Sequence, residues 1–207
     1  MITNKEGMMI GLVGNSGIGK TYVSMALRNK FDNLNPFPRV TTRVSRSTDT
    51  RDKVRTISLS EFELIKGGLL GLHHPFNNEI ISGYPLAESK KGIEEGIIYI
   101  GDPDVRTLAE ISRALESKTY FIGLIADRQY IETNLRQRLN LENLGGRITV
   151  AAEADLQARL AMLEPYNTLV IKAYETGIIQ RLIEVNFGNR TTLVELVEDS
   201  LKRNKIL

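Results

Sequence analysis

Short, continuous apolar runs alternate along this chain with longer segments in which apolar residues recur every three or four positions. The continuous runs are typical of strands buried on both faces, and they lie at residues 8–13, 97–100 and 120–125. The segments with helical spacing lie at residues 20–29, 86–95, 105–115, 128–139, 151–163 and 193–203. This alternation predicts an α/β fold with a parallel sheet and helices on both of its faces.

Shorter elements follow from local signals. Additional strands are predicted at residues 40–42, 69–72, 78–82, 169–171 and 182–185. Ser60 and Glu63 have the spacing of a capping box, which predicts a short helix that runs through Lys66. The same signal at Thr192 and Glu195 predicts the start of the last helix, and Asp104 is expected to cap the helix at Val105.

No internal repeat or flexible linker divides the chain, so residues 1–207 are predicted to form one domain. Its core is expected to comprise residues 1–40, 85–139 and 164–207. A small inserted lobe at about residues 41–84 and a lid at about residues 140–163 complete the predicted organisation.

A phosphate-binding pattern lies between the first predicted strand and the first predicted helix. The pattern G-x-x-x-x-G-K-[ST] is matched by Gly14-Asn15-Ser16-Gly17-Ile18-Gly19-Lys20-Thr21, which we call the phosphate loop. Its glycines allow a tight curl whose N–H groups point at phosphate oxygens, next to the positive end of the following helix. Lys20 is expected to reach the β- and γ-phosphates of a nucleoside triphosphate, and the Thr21 hydroxyl to ligate Mg²⁺.

Charge and composition restrict the partners further. The 207 residues carry a net charge of only +2, which gives no support for binding to nucleic acid or to a membrane surface. The chain has no cysteine, which excludes disulfides, a thiol nucleophile and a thiolate metal site. We expect a cytoplasmic protein that uses ATP and a small-molecule partner, as a monomer or a homodimer.

Three arginines lie within eight residues around the predicted strand at residues 40–42. Arg39, Arg43 and Arg46 have the side chains for bidentate hydrogen bonds to a second phosphate group. A solvated basic loop is the alternative interpretation of the same residues.

Taken together, three segments resemble the guanylate kinases and their relatives among the nucleoside monophosphate kinases. These segments are the phosphate loop, the run Thr41-Thr42-Arg43-Val44-Ser45-Arg46, and residues 56–68, which read TISLSEFELIKGG. Residues 122–138 and 156–160 are similar to the late strand, lid and lid-closing helix of that family.

The resemblance implies transfer of a phosphoryl group from ATP to a small phosphorylated acceptor, with Mg²⁺ as cofactor. It assigns the donor phosphates to the phosphate loop with Lys20, and the acceptor phosphate to Arg43 and Arg46, joined by Arg39. Arg138, Arg147 and Arg159 are its candidate lid arginines, each of which has a surface position as the alternative. Asp102 is the candidate carboxylate at the magnesium site or at the acceptor.

The residues that read guanine in this family have no clear counterparts in the inserted lobe. The expected tyrosine falls on Val54 or Arg55, the expected glutamate falls on Gly71, and Tyr84 is displaced from the expected tandem tyrosines. Three functions therefore remain open: a nucleoside monophosphate kinase, a sugar-phosphate kinase similar to ribose 1,5-bisphosphate phosphokinase, and a non-catalytic binding module of the same fold.

Overall fold

A computed structural model describes residues 6–44, 54–74, 80–142, 149–189 and 191–207, without the side chains of residues 140–142. The strands are β1 (Met8–Val13), β2 (Leu34–Pro36), β3 (Arg39–Thr41), β4 (Val54–Thr56), β5 (Leu69–His73), β6 (Ser82–Pro85), β7 (Ile98–Gly101), β8 (Thr119–Ala126) and β9 (Arg181–Val185). The helices are α1 (Lys20–Lys30), α2 (Leu59–Ile65), α3 (Leu86–Glu94), α4 (Leu108–Ala114), α5 (Arg128–Glu142), α6 (Val150–Ala161), α7 (Leu163–Glu175) and α8 (Leu193–Arg203). None of the helices in these described ranges combines the length and the apolar character needed to cross a membrane.

The central sheet has five strands in the order β2-β7-β1-β8-β9. β7 pairs in parallel with β1 and β2, and β8 pairs in parallel with β9. The continuous apolar runs of β1, β7 and β8 are buried along almost their whole length, as expected for inner parallel strands. The predicted α/β class, a parallel sheet flanked by helices, is confirmed.

The chain divides into two compact units. The first comprises Met1–Leu12 and Ser24–Phe121, and the second comprises Val13–Val23 and Ile122–Leu207. The phosphate loop and α5 to α8 belong to the second unit, where α6, α7 and α8 bury apolar residues at helical spacing.

The first unit contains a second sheet of four strands in the order β4-β3-β6-β5. β3 pairs in parallel with β4 and antiparallel with β6, which in turn pairs antiparallel with β5. A small hydrophobic core of Val40, Phe62 and Leu69 joins β3, α2 and β5. This cluster packs α2 against the four-stranded sheet, and the inserted lobe at about residues 41–84 stays a prediction.

The predicted strand at residues 169–171 is wrong, because these residues lie within α7. Only Val170 is buried there, whereas Leu169 and Ile171 are 41% and 36% exposed. The burial of Leu163, Val170 and Ala173 follows the helical period, and this packing outweighs the strand preference of a three-residue apolar run.

Two predicted helix caps are also wrong. Ser58, not Ser60, caps α2, and its hydroxyl and backbone N–H both bond to Glu61 in a complete capping box. Thr192 makes no side-chain cap on α8, because its hydroxyl donates instead to the carbonyl of Asn189 at 3.2 Å. The capping pattern is present near the start of both helices. At α2 the neighbouring Ser58 makes the cap, and at α8 the carbonyl of Asn189 binds the hydroxyl that was expected to make it.

Two predicted boundaries differ as well. The strand expected at residues 78–82 begins only at Ser82, and residues 75–79 lie outside the described residues. The segment expected to be one helix from Val105 starts as a 3-10 turn at Val105–Thr107 and becomes α-helical at Leu108. The predicted cap at Asp104 is confirmed, since its carboxylate accepts from the backbone N–H of Arg106 at 2.9 Å.

Gly92 marks a close approach of α3 to β7. A Cβ at this position would overlap the hydroxyl of Tyr99, whose ring is only 3% exposed and has no room to move. We expect Gly92→Ala to lower the free energy of unfolding by about 2 kcal/mol through overpacking, measured by urea denaturation. Gly67→Ala is the control, because nothing lies within 4 Å of its added Cβ. Equal stabilities of the two variants would contradict the expectation.

Candidate functional site

The phosphate loop joins the end of β1 to the start of α1. Gly17 and Gly19 have φ angles of +86° and +108°, which are strained for residues with a side chain. The two left-handed residues curl the loop and are followed at once by Lys20, the first residue of α1. The N–H groups of the first helical turn have no acceptor within the helix, so this end of α1 presents donors and a partial positive charge.

The loop also packs closely against the body of the second unit. A Cβ at Gly14 would lie 2.6 Å from the carbonyl oxygen of Leu124 in β8. Ile18 is fully buried and anchors the loop in the hydrophobic core. The loop backbone therefore has little space in which to shift.

Asn15 anchors the loop through its side-chain amide, which is buried. Its Nδ2 donates to Asn167 Oδ1 at 2.9 Å and to the carbonyl of Leu163 at 3.3 Å. Asn167 Nδ2 in turn donates to the carbonyl of Ala126 at 3.0 Å. These bonds tie the loop to α7 and to the end of β8. Sequence reasoning missed Asn167 because it lies 152 positions from Asn15 and belongs to no local motif.

The Lys20 side chain folds back across the loop. Its Nζ donates to the carbonyls of Gly14 and Asn15 at 2.6 and 2.9 Å. The ammonium group thus lies at the loop, next to the N-terminus of α1, where an anion gains from both charges. Thr21 lies in the first turn of α1 and is exposed, as the predicted metal contact requires.

Arg159 is the candidate lid arginine that the structure brings to the phosphate loop. It lies on α6, and its Nη1 donates to Ser16 Oγ at 3.0 Å. Its Nε donates to Asp155 Oδ2 at 2.7 Å, and the side chain is only 14% exposed. Ser16 and Arg159, predicted separately as loop and lid residues, are therefore in direct contact.

The other two candidate lid arginines are Arg138 and Arg147. Arg138 lies on α5 and is partly buried, and Arg147 lies outside the described residues. The neighbouring Arg136, which sequence reasoning did not single out, makes two hydrogen bonds to Glu153 at 2.9 and 3.0 Å and so joins α5 to α6. These bonds raise the pKa of Arg136 and lower that of Glu153.

α5 holds the loop directly as well. Asn134 Nδ2 donates to the carbonyl of Gly17 at 3.0 Å. A Cβ at Gly17 would lie 3.0 Å from Leu135 Cγ, so this part of the loop also packs against α5. Together with Asn15 and Asn167, Asn134 completes a set of amide side chains that fix the loop backbone from α5 and α7.

In the first unit, two residues predicted for the acceptor or the metal pair with each other. Arg39 at the start of β3 donates from Nη1 to Asp102 Oδ1 at 2.9 Å, just beyond the end of β7. The two side chains are 19% and 39% exposed, so the pair remains open to solvent. Among the described residues, no three His, Asp or Glu side chains converge into a metal-holding group, and Asp102 as a metal ligand stays a prediction.

The two threonines before Arg43 bind the edge of β6. Thr41 Oγ1 accepts from Ser82 Oγ at 2.8 Å, and Thr42 Oγ1 accepts from the backbone N–H of Ile81 at 2.9 Å. The backbone N–H of Arg43 donates to Thr41 Oγ1 at 3.1 Å. The threonines therefore fix the backbone from which the Arg43 side chain projects.

The Arg43 side chain lies at the surface of the first unit. Its Nη1 donates to the carbonyl of the neighbouring Val44 at 3.1 Å, a bond to backbone at the end of the described segment. Arg46, its predicted partner at the acceptor phosphate, lies outside the described residues.

Two of the positions compared with the base-reading residues of the family hold a glycine, Gly71, and a buried tyrosine, Tyr84. Gly71 has no side chain, has a φ of +60°, and donates its N–H to Glu110 Oε1 at 3.1 Å. Tyr84 is 1% exposed, and its ring packs against Phe37 with the centroids 4.9 Å apart. Tyr84 is therefore a core residue, and Gly71 belongs to the packing between β5 and α4.

Comparison with a solved structure supports the fold. The protein is similar to the crystal structure of guanylate kinase from Anaplasma phagocytophilum, with a TM-score of 0.62, 14% identity, and coverage of 98% of this chain and 88% of that one. Shikimate kinase from Acinetobacter baumannii in complex with shikimate gives a TM-score of 0.49, 15% identity, and coverage of 98% and 97%. Neither a protein-family model nor a curated protein matches the sequence. The chain thus shares the fold of guanylate kinase.

Asp104 provides a pH-dependent contribution to stability in the first unit. Burial raises its pKa, but hydrogen bonds from the side chain and backbone N–H of Arg106 outweigh burial and hold the pKa below the ordinary value of 3.8. Because the pKa is lower in the folded state than in the unfolded state, the ionised carboxylate stabilises the fold fully at pH values above 3.8. This stabilisation is lost as the pH falls through the folded-state pKa.

We therefore expect Asp104→Asn to lower the free energy of unfolding by about 1 kcal/mol at pH 7 and by much less at pH 3. Urea denaturation at both pH values measures the difference. Arg106→Ala is the control, since adding it to Asp104→Asn should cost less than it does in the wild type. A wild-type advantage that stays constant down to pH 3 would contradict the assignment.

Proposed function

We propose that the protein is a P-loop phosphotransferase that moves the γ-phosphoryl group of ATP to a small phosphorylated acceptor, a nucleoside monophosphate. The observation that supports this most is the geometry of the phosphate loop, with Gly17 and Gly19 in left-handed conformations and Lys20 Nζ at its carbonyls. Similarity to the fold of guanylate kinase is consistent with it.

The donor groups at the loop suit a triphosphate with its magnesium ion. Backbone N–H groups and the Lys20 ammonium bind phosphate oxygens, and the exposed Thr21 hydroxyl is an oxygen ligand of the kind that Mg²⁺ prefers. When bound, Mg²⁺ neutralises charge on the donor phosphates.

The proposed mechanism needs positioning and charge neutralisation more than covalent chemistry. Lys20 holds the donor phosphates from within the loop, and Arg159, at Ser16, adds a second cation on the side of α6. Arg43 is the proposed partner of the acceptor phosphate in the first unit. Charge that develops during transfer is then stabilised by cations already fixed by the fold.

A second candidate acceptor is a sugar bisphosphate such as ribose 1,5-bisphosphate. The absence of a side chain at Gly71 and the burial of Tyr84 favour it, because an acceptor without a base needs no residues to read one. We place it second because the phosphate loop and residues 41–46 resemble the guanylate kinases and their relatives among the nucleoside monophosphate kinases.

The experiment that tests the proposal measures ADP release from Mg-ATP with GMP, dGMP, AMP, CMP, UMP, dTMP and ribose 1,5-bisphosphate. Turnover with a nucleoside monophosphate supports the first candidate, and turnover with the sugar bisphosphate alone supports the second. Thermal unfolding with and without Mg-ATP shows whether the protein binds ATP, since a ligand at about 100 times its Kd adds about 2.7 kcal/mol of stability. The absence of stabilisation by Mg-ATP would favour the non-catalytic binding module. No turnover with any acceptor would contradict the proposed activity.

Lys20→Ala should reduce kcat at least about 100-fold, because it removes a cation from the transferring phosphates. The measurement is ADP release at saturating Mg-ATP with the acceptor that the wild type uses. Lys30→Ala is the matched control, since Lys30 lies exposed at the opposite end of the same helix. Undiminished turnover in Lys20→Ala would falsify the mechanism.

Arg43→Ala should lower kcat/KM for the acceptor about 30-fold, a loss of about 2 kcal/mol of transition-state binding, and leave KM for ATP nearly unchanged. Initial rates with each substrate varied in turn separate the two effects. Arg113→Ala is the control, because Arg113 is exposed on α4 of the same unit. An equal loss of kcat/KM for both substrates would contradict the assignment of Arg43 to the acceptor site.

A further inference from the structure

Asp155 and Arg159 lie one helical turn apart on α6, and the arginine contacts the phosphate loop. Arg159 Nε donates to Asp155 Oδ2 at 2.7 Å while its Nη1 donates to Ser16 Oγ at 3.0 Å. Arg159 is 14% exposed and Asp155 is 43% exposed. The guanidinium therefore bridges a carboxylate on its own helix and a hydroxyl in the loop.

We propose that Asp155 is a positioning residue, whose carboxylate sets the orientation in which Arg159 meets the phosphate loop. This inference deepens the proposed function and rests on it, because Arg159 is the cation that α6 brings to the donor phosphates. Asp155 acts through Arg159 and does not itself contact the substrate.

The planarity of the guanidinium explains how one carboxylate can do this. An arginine side chain has many rotamers, but its five N–H donors form a rigid fork. One hydrogen bond at Nε and a second at Nη1 together restrict the orientation of the planar guanidinium group. Without the carboxylate, the guanidinium would lose the bond at Nε and would be held less firmly in this plane.

Charge gives a second reason for the pair. Lys20 Nζ and the N-terminus of α1 already bring positive charge to the loop, and Arg159 adds more. A carboxylate paired with the guanidinium offsets this repulsion before an anion arrives. Asp155 therefore keeps Arg159 at Ser16, so that the cation is in place when phosphates bind.

Glu132 and Arg136 on α5 provide a matched comparison. They have the same i,i+4 spacing, with Nη2 and Oε1 3.0 Å apart, and Glu132 is 34% exposed. Arg136, however, makes its other described bonds to Glu153 of α6, not to the phosphate loop. Both pairs are i,i+4 ion pairs on a helix, and of the two, the pair at Asp155 is the one that reaches the proposed site.

The test compares Asp155→Ala, Asp155→Glu and Glu132→Ala in steady-state kinetics with the acceptor that the wild type uses. We expect Asp155→Ala to lower kcat about tenfold with KM for ATP changed less than about twofold, because orientation of the guanidinium matters most in the transition state. Asp155→Glu should recover most of kcat, and Glu132→Ala should retain wild-type kcat. Each alanine variant should lower Tm by no more than about 2 °C.

Two kinetic results would overturn the positioning role. One is a kcat in Asp155→Ala that equals the wild-type value. The other is an equal loss of kcat in Asp155→Ala and Glu132→Ala, which would indicate a general effect of weakening a helix.

A readout without turnover separates this inference from the proposed function. In NMR spectra of the folded protein, the Nε–H of Arg159, assigned by its loss in Arg159→Lys, should exchange slowly with water in the wild type and rapidly in Asp155→Ala. Equal exchange in the two proteins would overturn the inference even if the enzyme is active. Slow exchange in a wild type that turns over no acceptor would support the pairing while the proposed function fails.

Discussion

The buried side-chain amide of Asn15 is the interaction on which the phosphate loop depends. The glycines of the loop have no side chains that could stabilise its left-handed conformation by packing. Glycine also loses more conformational entropy on folding than any other residue. Asn15 compensates by bonding to Asn167 and to the carbonyl of Leu163, so that the loop is held by α7. Loss of this amide would leave the Asn167 oxygen without that donor, and an unsatisfied buried group costs about 1–3 kcal/mol.

The charged and polar residues near the candidate site fall into two groups by what they contact. Arg39 pairs with Asp102, and Thr41 and Thr42 bind β6, so these residues organise the first unit. Lys20 and Arg159 contact the phosphate loop itself, and Arg43 projects at the surface of the first unit. Lys20 and Arg159 bring positive charge to the phosphate loop, which is why we propose them, and not Arg39, as ligands of the donor phosphates.

Much of the fold could be predicted from the sequence, because buried parallel strands are continuous apolar runs and the phosphate loop has a specific pattern. Residues 169–171 show the limit: three apolar residues satisfy a strand pattern, and only packing reveals that Val170 alone is buried. The cap at Ser58 shows a second limit. Ser58 and Ser60 both precede acidic residues at the capping-box spacing, so the spacing alone does not decide which serine caps the helix. The contacts of Asn15 with Asn167 and of Ser16 with Arg159 join residues 152 and 143 positions apart, which no local pattern can indicate.

A single residue, Met162, separates α6 from α7, and both helices hold the phosphate loop close to this junction. Met162 is 47% exposed and the chain has no cysteine, so a cysteine introduced there would be its only thiol. A fluorophore on that thiol would sit between the helix that carries Arg159 and the helix that anchors Asn15. The junction thus offers a natural place for an optical reporter of what happens at the loop.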